Sequence, residues 1–282
     1  HPFMITAERP QLGLLITATA GLSNVLLDAL FIIKFNWGVP GAAWATVISE
    51  IIGGFVPLLF FMCPNKTPLH LGKAVLDFFS LFKSIGNGMS EFVSHISMSF
   101  VGMLYNYQLL KYAGENGVVA FGVIASTNFL FISLFVGYSL GTSSIISYHF
   151  GAKNTDELKS LLHKNIRILL CLTIGLTILA ELLAGPVTRL FIENRPDLAS
   201  MAKNGFMIYV LSYLVAGYNI YASAFFTALN NGVISAIISL ARTFVFQSAC
   251  ILILPIILGI NGIWGSIIVA EISAFLVSAY FI

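Results

Sequence analysis

The stretch GVPGAAWATVISE, residues 38–50, recurs in outline as GINGIWGSIIVAE at residues 259–271. Both stretches have glycine at their first and fourth positions and glutamate at their thirteenth. In both, a loop leads into an apolar segment, and the glutamate lies nine residues past the second glycine. At a helical rise of about 1.5 Å per residue, each carboxyl group lies roughly 13 Å inside that segment. The pattern predicts two related apolar helices, each with a buried carboxyl group.

The composition is that of a membrane protein. Apolar residues make up 58% of the chain and charged residues 9%, against about 25% charged residues in a typical soluble domain. A mean hydropathy of +0.92 agrees. A net charge of +2 is too small and too dispersed to indicate nucleic-acid binding. The three dispersed cysteines do not predict a disulfide framework or a zinc site.

Eight segments are long and apolar enough to cross a bilayer, which takes about 20 apolar residues. The sequence therefore predicts an all-α integral membrane protein with eight transmembrane helices and no resident cofactor or metal. The predicted spans are 11–35, 41–62, 89–112, 118–148, 164–185, 205–229, 233–258 and 262–282.

A polar segment between the second and third spans is predicted to link two helical lobes. In residues 74–86, AVLDFFSLFKSIG, the polar residues Asp77, Ser80 and Ser84 follow Lys73 at helical spacing. This spacing is typical of an amphipathic helix lying in the membrane interface. Gly86, Asn87 and Gly88 are predicted to separate it from the next span. The domains are then the last two helices of an N-terminal lobe (1–62), a linker (63–88) and a C-terminal lobe (89–282).

The basic residues of the loops predict the orientation of the spans. Loops on the linker side carry eight lysines and arginines and the opposite loops carry five, so the linker side is predicted to face the cytoplasm. The linker-side residues are Arg9, Lys66, Lys73, Lys83, Lys153, Lys159, Lys164 and Arg167. We expect a multi-pass protein of the plasma membrane, in particular a bacterial inner membrane.

The two repeat copies have the same orientation because six predicted spans lie between them. A repeat of this kind is parallel, with its copies related by an axis along the membrane normal. Four spans precede the hairpin in the second copy, whereas only ten residues precede it in the first. We therefore expect four further spans upstream of this sequence, giving two six-helix lobes.

Several stretches, taken in order, resemble the MATE family of multidrug and toxin extrusion transporters. Residues 24–31 with 38–49 resemble the family's fifth and sixth helices, and residues 137–141 with 147–154 are similar to its eighth helix and the turn that follows. Residues 228–232 and 239–242 resemble its tenth-to-eleventh helix region. The resemblance implies helices five to twelve of a twelve-helix exporter, and it agrees with the four spans expected upstream.

Ionisable groups inside the membrane are the candidates for binding a coupling proton or sodium ion, because burying them is costly. Glu50 and Glu271 are the repeated glutamates, and Asp28 shares a helix face with Asn24 at i−4. Glu91 and His95 form an i, i+4 pair in which the histidine titrates near neutral pH. The family's sodium-coupled branch has a glutamate deeper in the helix of Glu91, and an aspartate near Tyr218–Asn219, where this sequence has no carboxylate.

Polar and aromatic side chains inside the spans are candidates for lining a substrate cavity. They are Tyr105, Asn106, Asn219 and Asn24. Aromatic faces suit organic cations. Arg242 lies about ten residues into its span. We predict a structural charge there, and we do not expect it to pair with Glu271, which we place at a different depth.

The sequence predicts a secondary transporter. It lacks a G-x-x-x-x-G-K-[ST] phosphate loop and a metal-binding histidine motif, so a gradient must supply the energy. Together with the resemblance, this predicts an antiporter, not an enzyme, that exports hydrophobic or cationic small molecules in exchange for H⁺ or Na⁺. Alternating access would move one lobe against the other, and the full-length protein is expected to act as a monomer. The alternatives are a lipid-linked-oligosaccharide flippase, an intramembrane lipid-modifying enzyme and a non-transporting scaffold.

Overall fold

The computed structural model describes residues 2–63, 67, 69, 72, 77–192 and 195–282. Over these residues the chain is helical and contains no strand. It divides into two compact units, His1–Leu76 and Asp77–Ile282. The all-α membrane class is confirmed. The domain boundaries at 62 and 88 stay predictions.

The first unit is built on a helical hairpin. After the short helix α1 (Pro2–Thr6), α2 (Pro10–Asp28) continues through a π-helical segment, Ala29–Lys34, and α3 runs over Gly38–Met62. Proline at the first position of α2 suits a helix start because no helical partner exists there for an N–H. Gly38 has a positive φ of 58°, which lets the chain turn sharply into α3. The Phe31 ring stacks on Trp37 at 5.1 Å between ring centroids, which closes the turn.

The second unit is a bundle of long helices. Two of its apolar stretches are bent or locally widened: α6 and α7 meet at an angle of 51°, and a π-helical segment, Ala241–Phe246, lies between α8 and α9. The helices are α4 (Phe78–Gly151), α5 (Thr155–Phe191), α6 (Pro196–Val210), α7 (Tyr213–Ala228), α8 (Gly232–Leu240), α9 (Gln247–Leu258) and α10 (Ile260–Phe281).

Helix α4 is interrupted at Gly114. This residue has φ 64° and ψ −158°, which is outside the helical region, so two helices meet there. Gly114 falls between the predicted spans 89–112 and 118–148. The 74 residues of α4 would extend roughly 110 Å at 1.5 Å per residue, several times the ~30 Å hydrocarbon core. A break at this position therefore fits two crossings.

The predicted break at Gly86–Gly88 is wrong, because α4 runs through these residues without interruption. This part of α4 instead packs closely against the start of α8. A Cβ atom on Gly232, the first residue of α8, would lie 2.6 Å from the Cα of Asn87. The side-chain amide of Asn87 also donates to the carbonyl of Thr227, at 3.2 Å. Of the predicted helix at 74–86, residues 74–76 lie outside the described part of the chain, and Asp77 caps the start of α4.

Six helices of the described chain are long and apolar enough to cross a membrane, or seven if the bent pair of α6 and α7 counts as one. The protein is therefore a multi-pass membrane protein. The count of eight spans stays a prediction.

Bulky residues pack against glycines in the core of the second unit. The Trp264 ring, 2% exposed, covers Gly205, where an added Cβ would meet the ring at 2.9 Å. Gly217 of α7 is similarly close to Thr173 of α5 and Phe135 of α4. These contacts bring α6 close to α10, and α7 close to α4 and α5, inside the bundle.

Candidate functional site

The candidate functional site is a buried ion pair between Arg242 and Glu271. The guanidinium Nε donates to both carboxylate oxygens of Glu271, at 2.9 and 3.0 Å. Its Nη2 lies 2.9 Å from Oε1. The Glu271 side chain is 2% exposed and that of Arg242 is 17% exposed. Two nitrogens of one guanidinium therefore hold both carboxylate oxygens, which is the strong, directional form of this interaction.

Two neutral side chains complete the site. The amide of Asn219 donates to Glu271 Oε2 at 2.7 Å and to the Glu271 backbone carbonyl at 2.9 Å. The hydroxyl of Ser278, two turns beyond Glu271 in α10, donates to the amide oxygen of Asn219 at 3.0 Å. Asn219 is fully buried and Ser278 is 2% exposed. The ionised carboxylate thus has a donor at each oxygen, which meets the requirement for burying a charge.

The prediction that Arg242 and Glu271 lie at different depths is wrong. Arg242 is ten residues from Gly232, the first residue of α8, and Glu271 is ten residues from Phe281, the last residue of α10. Asn219 is nine residues from Ala228, the end of α7. All three distances amount to about 14–15 Å from the same ends of the bundle. The side chains therefore meet at one level.

The π-helical segment begins at Ala241, next to Arg242. Segments of this type locally widen a helix and are frequent at functional sites. In the first unit a second π-helical segment begins directly after Asp28.

Asp28 differs from Glu271 in that one of its oxygens has no partner. Asp28 Oδ1 is buried and has no hydrogen-bond partner among the residues that the structure describes. Asp28 and Asn24 are both half-buried on one face of α2. A buried carboxylate oxygen of this kind can bind a proton, coordinate a cation or accept a hydrogen bond from a water molecule.

Three further predicted coupling residues lie at exposed positions. They are Glu50, Glu91 and His95, and Asn106 is exposed as well. The two glutamates of the repeat therefore have different surroundings, because Glu50 is exposed whereas Glu271 is buried.

Tyr105 is an interior residue of the second unit. Its hydroxyl lies 2.8 Å from the hydroxyl of Ser266, and its ring stacks on Phe121 with 4.7 Å between centroids. Only 3% of Tyr105 is exposed. Its role in a substrate cavity stays a prediction.

Sequence reasoning missed a row of hydroxyl groups between α7 and α8. Its spacing was a usable signal, since Asn219, Ser223 and Thr227 recur every four residues in α7, and Ser235, Ser239 and Thr243 do so in the stretch that begins with α8. Such spacing puts each set on one helix face. We call Thr227, Ser235, Ser223 and Ser239 the hydroxyl ladder.

Comparisons with known proteins agree with this architecture. The sequence profile of the MatE family matches residues 92–251, more than half of the chain. The multidrug export protein MepA of Staphylococcus haemolyticus is 23% identical over 256 residues, which cover 90% of this chain and 56% of that protein. The probable multidrug resistance protein YoeA of Bacillus subtilis is 25% identical over 254 residues, covering 86% and 50%. This chain thus spans about half the length of the curated relatives it matches.

Solved structures have the same fold. A MATE structure in complex with MaL6 superimposes with a TM-score of 0.88 at 22% identity, over 97% of this chain and 61% of that one. An outward-facing multidrug resistance MATE family transporter of the MOP superfamily gives 0.87 at 23% identity, with the same coverage. At this level of identity the likeness concerns the fold.

Proposed function

Because the chain belongs to the MatE family, a family of transporters and not of enzymes, we propose that the intact protein is a secondary antiporter. It exports hydrophobic, cationic small molecules in exchange for protons, by alternating access between two helical lobes. The relatives named as multidrug exporters support the substrate class. The observation that carries the proposal is the buried carboxyl group of Glu271, held by Arg242 and Asn219.

Protonation of Glu271 changes the charge of the second unit's interior. When Glu271 is ionised, its charge cancels that of Arg242. When it is protonated, the guanidinium keeps an uncompensated positive charge. A cationic substrate about 8 Å away would then be repelled by about 2 kcal/mol at an effective dielectric constant of 20, roughly a thirtyfold loss of affinity. Proton binding thus favours substrate release, which is the coupling that an antiporter needs.

The surroundings of Glu271 favour a proton over sodium at this site. The two carboxylate oxygens face N–H donors from Arg242 and Asn219. A sodium ion needs oxygen ligands, and here it would approach a guanidinium cation. A proton needs only one carboxylate oxygen and can displace a single donor from it.

Asp28 and Glu50 are the groups that we assign to attracting the cationic substrate. Both lie within apolar helices, and the sequence has no basic residue between Arg9 and Lys34. The unpartnered Oδ1 of Asp28 supports this role. A flippase for a pyrophosphate-linked lipid would instead need free basic groups inside the spans. Arg242, the basic residue deep in a span, is engaged by Glu271, so we favour the antiporter.

The test uses the intact gene, expressed in cells without other exporters and assayed in inside-out membrane vesicles. Accumulation of a fluorescent organic cation is measured under a proton gradient, a sodium gradient and no gradient. We expect uptake under the proton gradient alone, and its loss in Glu271→Gln, which cannot exchange a proton. Asp28→Asn should weaken substrate affinity and raise the half-saturating concentration.

Arg195→Gln is a matched control, because its guanidinium bonds the exposed side chain of Asn116 and no buried acid. It should transport like the wild type. Uptake driven by sodium, or unchanged proton-driven uptake in Glu271→Gln, would contradict the proposed coupling.

A further inference from the structure

The hydroxyl ladder is a continuous chain of hydroxyl contacts that crosses between two helices. Thr227 Oγ1 lies 2.7 Å from Ser235 Oγ, Ser235 Oγ lies 2.9 Å from Ser223 Oγ, and Ser223 Oγ lies 2.8 Å from Ser239 Oγ. In each contact either oxygen can be the donor. Each hydroxyl has one proton and two lone pairs, so the chain can carry its hydrogen bonds in either direction.

The ladder has one end near solvent and the other near Glu271. Thr227 is half-buried and lies one residue before the end of α7, where the turn exposes Asn230. Ser235 is fully buried and Ser239 is 6% exposed. From Ser239 and Ser223 it is one helical turn to Arg242 and Asn219, the residues that hold Glu271. Cβ atoms one turn apart are about 5–6 Å from each other, so the inner end of the ladder adjoins the side chains that hold Glu271. One water molecule between the ladder and the carboxyl group would complete the route.

Buried threonines elsewhere in the second unit bond differently. Thr177 of α5 is 7% exposed, and its hydroxyl donates to the carbonyl of Thr173, four residues earlier in the same helix, at 2.7 Å. Thr188 does the same with the carbonyl of Ala184. This is the ordinary way in which a hydroxyl is satisfied inside a membrane helix. Thr227 has such a bond as well, to the carbonyl of Ser223. What distinguishes the ladder hydroxyls is that they also contact one another across α7 and α8, and that they lead to a titratable group that is 1% exposed.

We propose that the hydroxyl ladder is the route by which Glu271 exchanges its proton with the aqueous phase at the α7–α8 turn. This inference rests on the proposed function, because it needs Glu271 to bind and release a proton during transport. The orientation predicted from the loops places the α7–α8 turn in the cytoplasm. The ladder would therefore carry the proton that an exporter releases into the cytoplasm.

The transfer conserves protons at every step. Glu271 gives its proton through one water to Ser239, and each hydroxyl accepts one proton as it passes on the one it holds, in the order Ser239, Ser223, Ser235, Thr227. Water at the turn receives the last proton, and the ionised carboxylate pairs again with Arg242. The hydroxyls then rotate back. At Thr227 and Ser235 the carbonyl of Ser223 offers an alternative acceptor, at 3.1 and 2.9 Å.

The test separates proton movement from helix packing. The intact protein is reconstituted in liposomes, and two rates are measured with the same fluorescent organic cation. One is uptake driven by a proton gradient. The other is exchange of internal for external substrate without a gradient, which requires no net proton release. Ser239→Ala is expected to lower the driven rate by about tenfold, the lower range for a lost proton-transfer group, and to leave exchange unchanged.

Two further variants control for structure. Ser239→Thr keeps the hydroxyl and should restore the driven rate. Thr177→Ala removes an equally buried hydroxyl outside the ladder and should change neither rate. The proposal is overturned if Ser239→Ala keeps the wild-type driven rate, or if both rates fall together, which would indicate a packing role. Wild-type uptake that a proton gradient does not drive would instead overturn the proposed function itself, and the ladder's role with it.

Discussion

Replacing Arg242 by methionine should make the stability of the protein depend on pH. Methionine has a similar length and no charge, so Glu271 keeps its apolar surroundings and the amide of Asn219 but loses three contacts to the guanidinium. A carboxylate in that position either stays ionised at a high cost or takes up a proton. The destabilisation should therefore be small in acid and grow as the pH rises.

The magnitude follows from the geometry. Removing one member of a buried ion pair costs about 3–5 kcal/mol. The lower end, about 3 kcal/mol, applies at pH 8 because Arg242 is partly exposed and solvent screens it. At pH 5 a protonated Glu271 leaves only lost hydrogen bonds, about 1 kcal/mol. At roughly 2–4 °C per kcal/mol, the melting temperature should fall by roughly 6–12 °C at pH 8 and by about 3 °C at pH 5.

The assay is thermal unfolding of the intact protein in detergent at both pH values. Arg195→Met is the control, since its hydrogen bond to Asn116 is exposed, and it should change the melting temperature little at either pH. In the double variant Arg242→Met/Glu271→Met the buried charge is gone, so most of the loss should be recovered. Equal shifts at the two pH values, or a double variant as unstable as the single one, would contradict a buried charge on Glu271.

Three further predictions concern the packing of α10, the ion pair and the cap of α4. Gly262→Ala would place a Cβ atom 2.4 Å from the carbonyl oxygen of Leu254 and should lower the free energy of unfolding by about 1–3 kcal/mol. Gly265→Ala, where a Cβ atom meets open space, should raise it by up to about 1 kcal/mol. Melting temperatures of the two variants test this difference. Asn219→Asp would place a second carboxylate where the amide now contacts Glu271 Oε2 at 2.7 Å, so its melting temperature should fall more at pH 8 than at pH 5. An Asn219→Asp variant equally stable at both would contradict this. The hydroxyl of Ser80 and the N–H of Phe79 lower the pKa of Asp77, so its helix cap is intact at neutral pH and is lost as the pH falls through that lowered pKa. Hydrogen exchange at the Phe79 amide, normalised for the intrinsic rate, should rise in acid in the wild type and be high at every pH in Asp77→Ala.

The all-α membrane class was predictable because the hydropathy of long apolar segments indicates that they enter a bilayer. Helix α3 covers Gly38–Met62, close to the predicted span 41–62, and the break at Gly114 falls where polar residues and glycines interrupt the apolar runs. Backbone groups in a bilayer must bond within their own helix, so long apolar runs become helices whatever their neighbours are. Local sequence therefore carries this level of structure.

Contacts between helices were harder to predict. Gly86 and Gly88 were interpreted as a break, but α4 continues through them, and Gly232 lets the start of α8 approach Asn87 closely. That contact depends on a helix more than 140 residues away. Arg242 and Glu271 were placed at different depths. The start of α8 and the end of α10 lie at the same side of the bundle, and counting residues from these two ends brings Arg242 and Glu271 to one level. The four-residue spacing of the hydroxyl ladder was visible in the sequence. Only the packing of the helices shows that the hydroxyl-bearing faces of α7 and α8 meet.

The repeated glutamates have diverged in what surrounds them. Gly21 is as far from Arg242 in the sequence as Glu50 is from Glu271, so glycine stands in the first copy where arginine stands in the second. The sequence from Pro10 to Ile33 contains no basic residue that could pair with an acid there. Residues 10–33 and 38–62 of the first hairpin therefore contain Asp28 and Glu50 and no basic residue, whereas Arg242 neutralises the carboxylate of the second. A cationic substrate is attracted by unpaired acids, and a proton switch needs an acid with a partner that it can release. The two copies of one motif thus suit the two tasks of an antiporter, and moving an arginine to position 21 should weaken substrate binding without removing the response to protons.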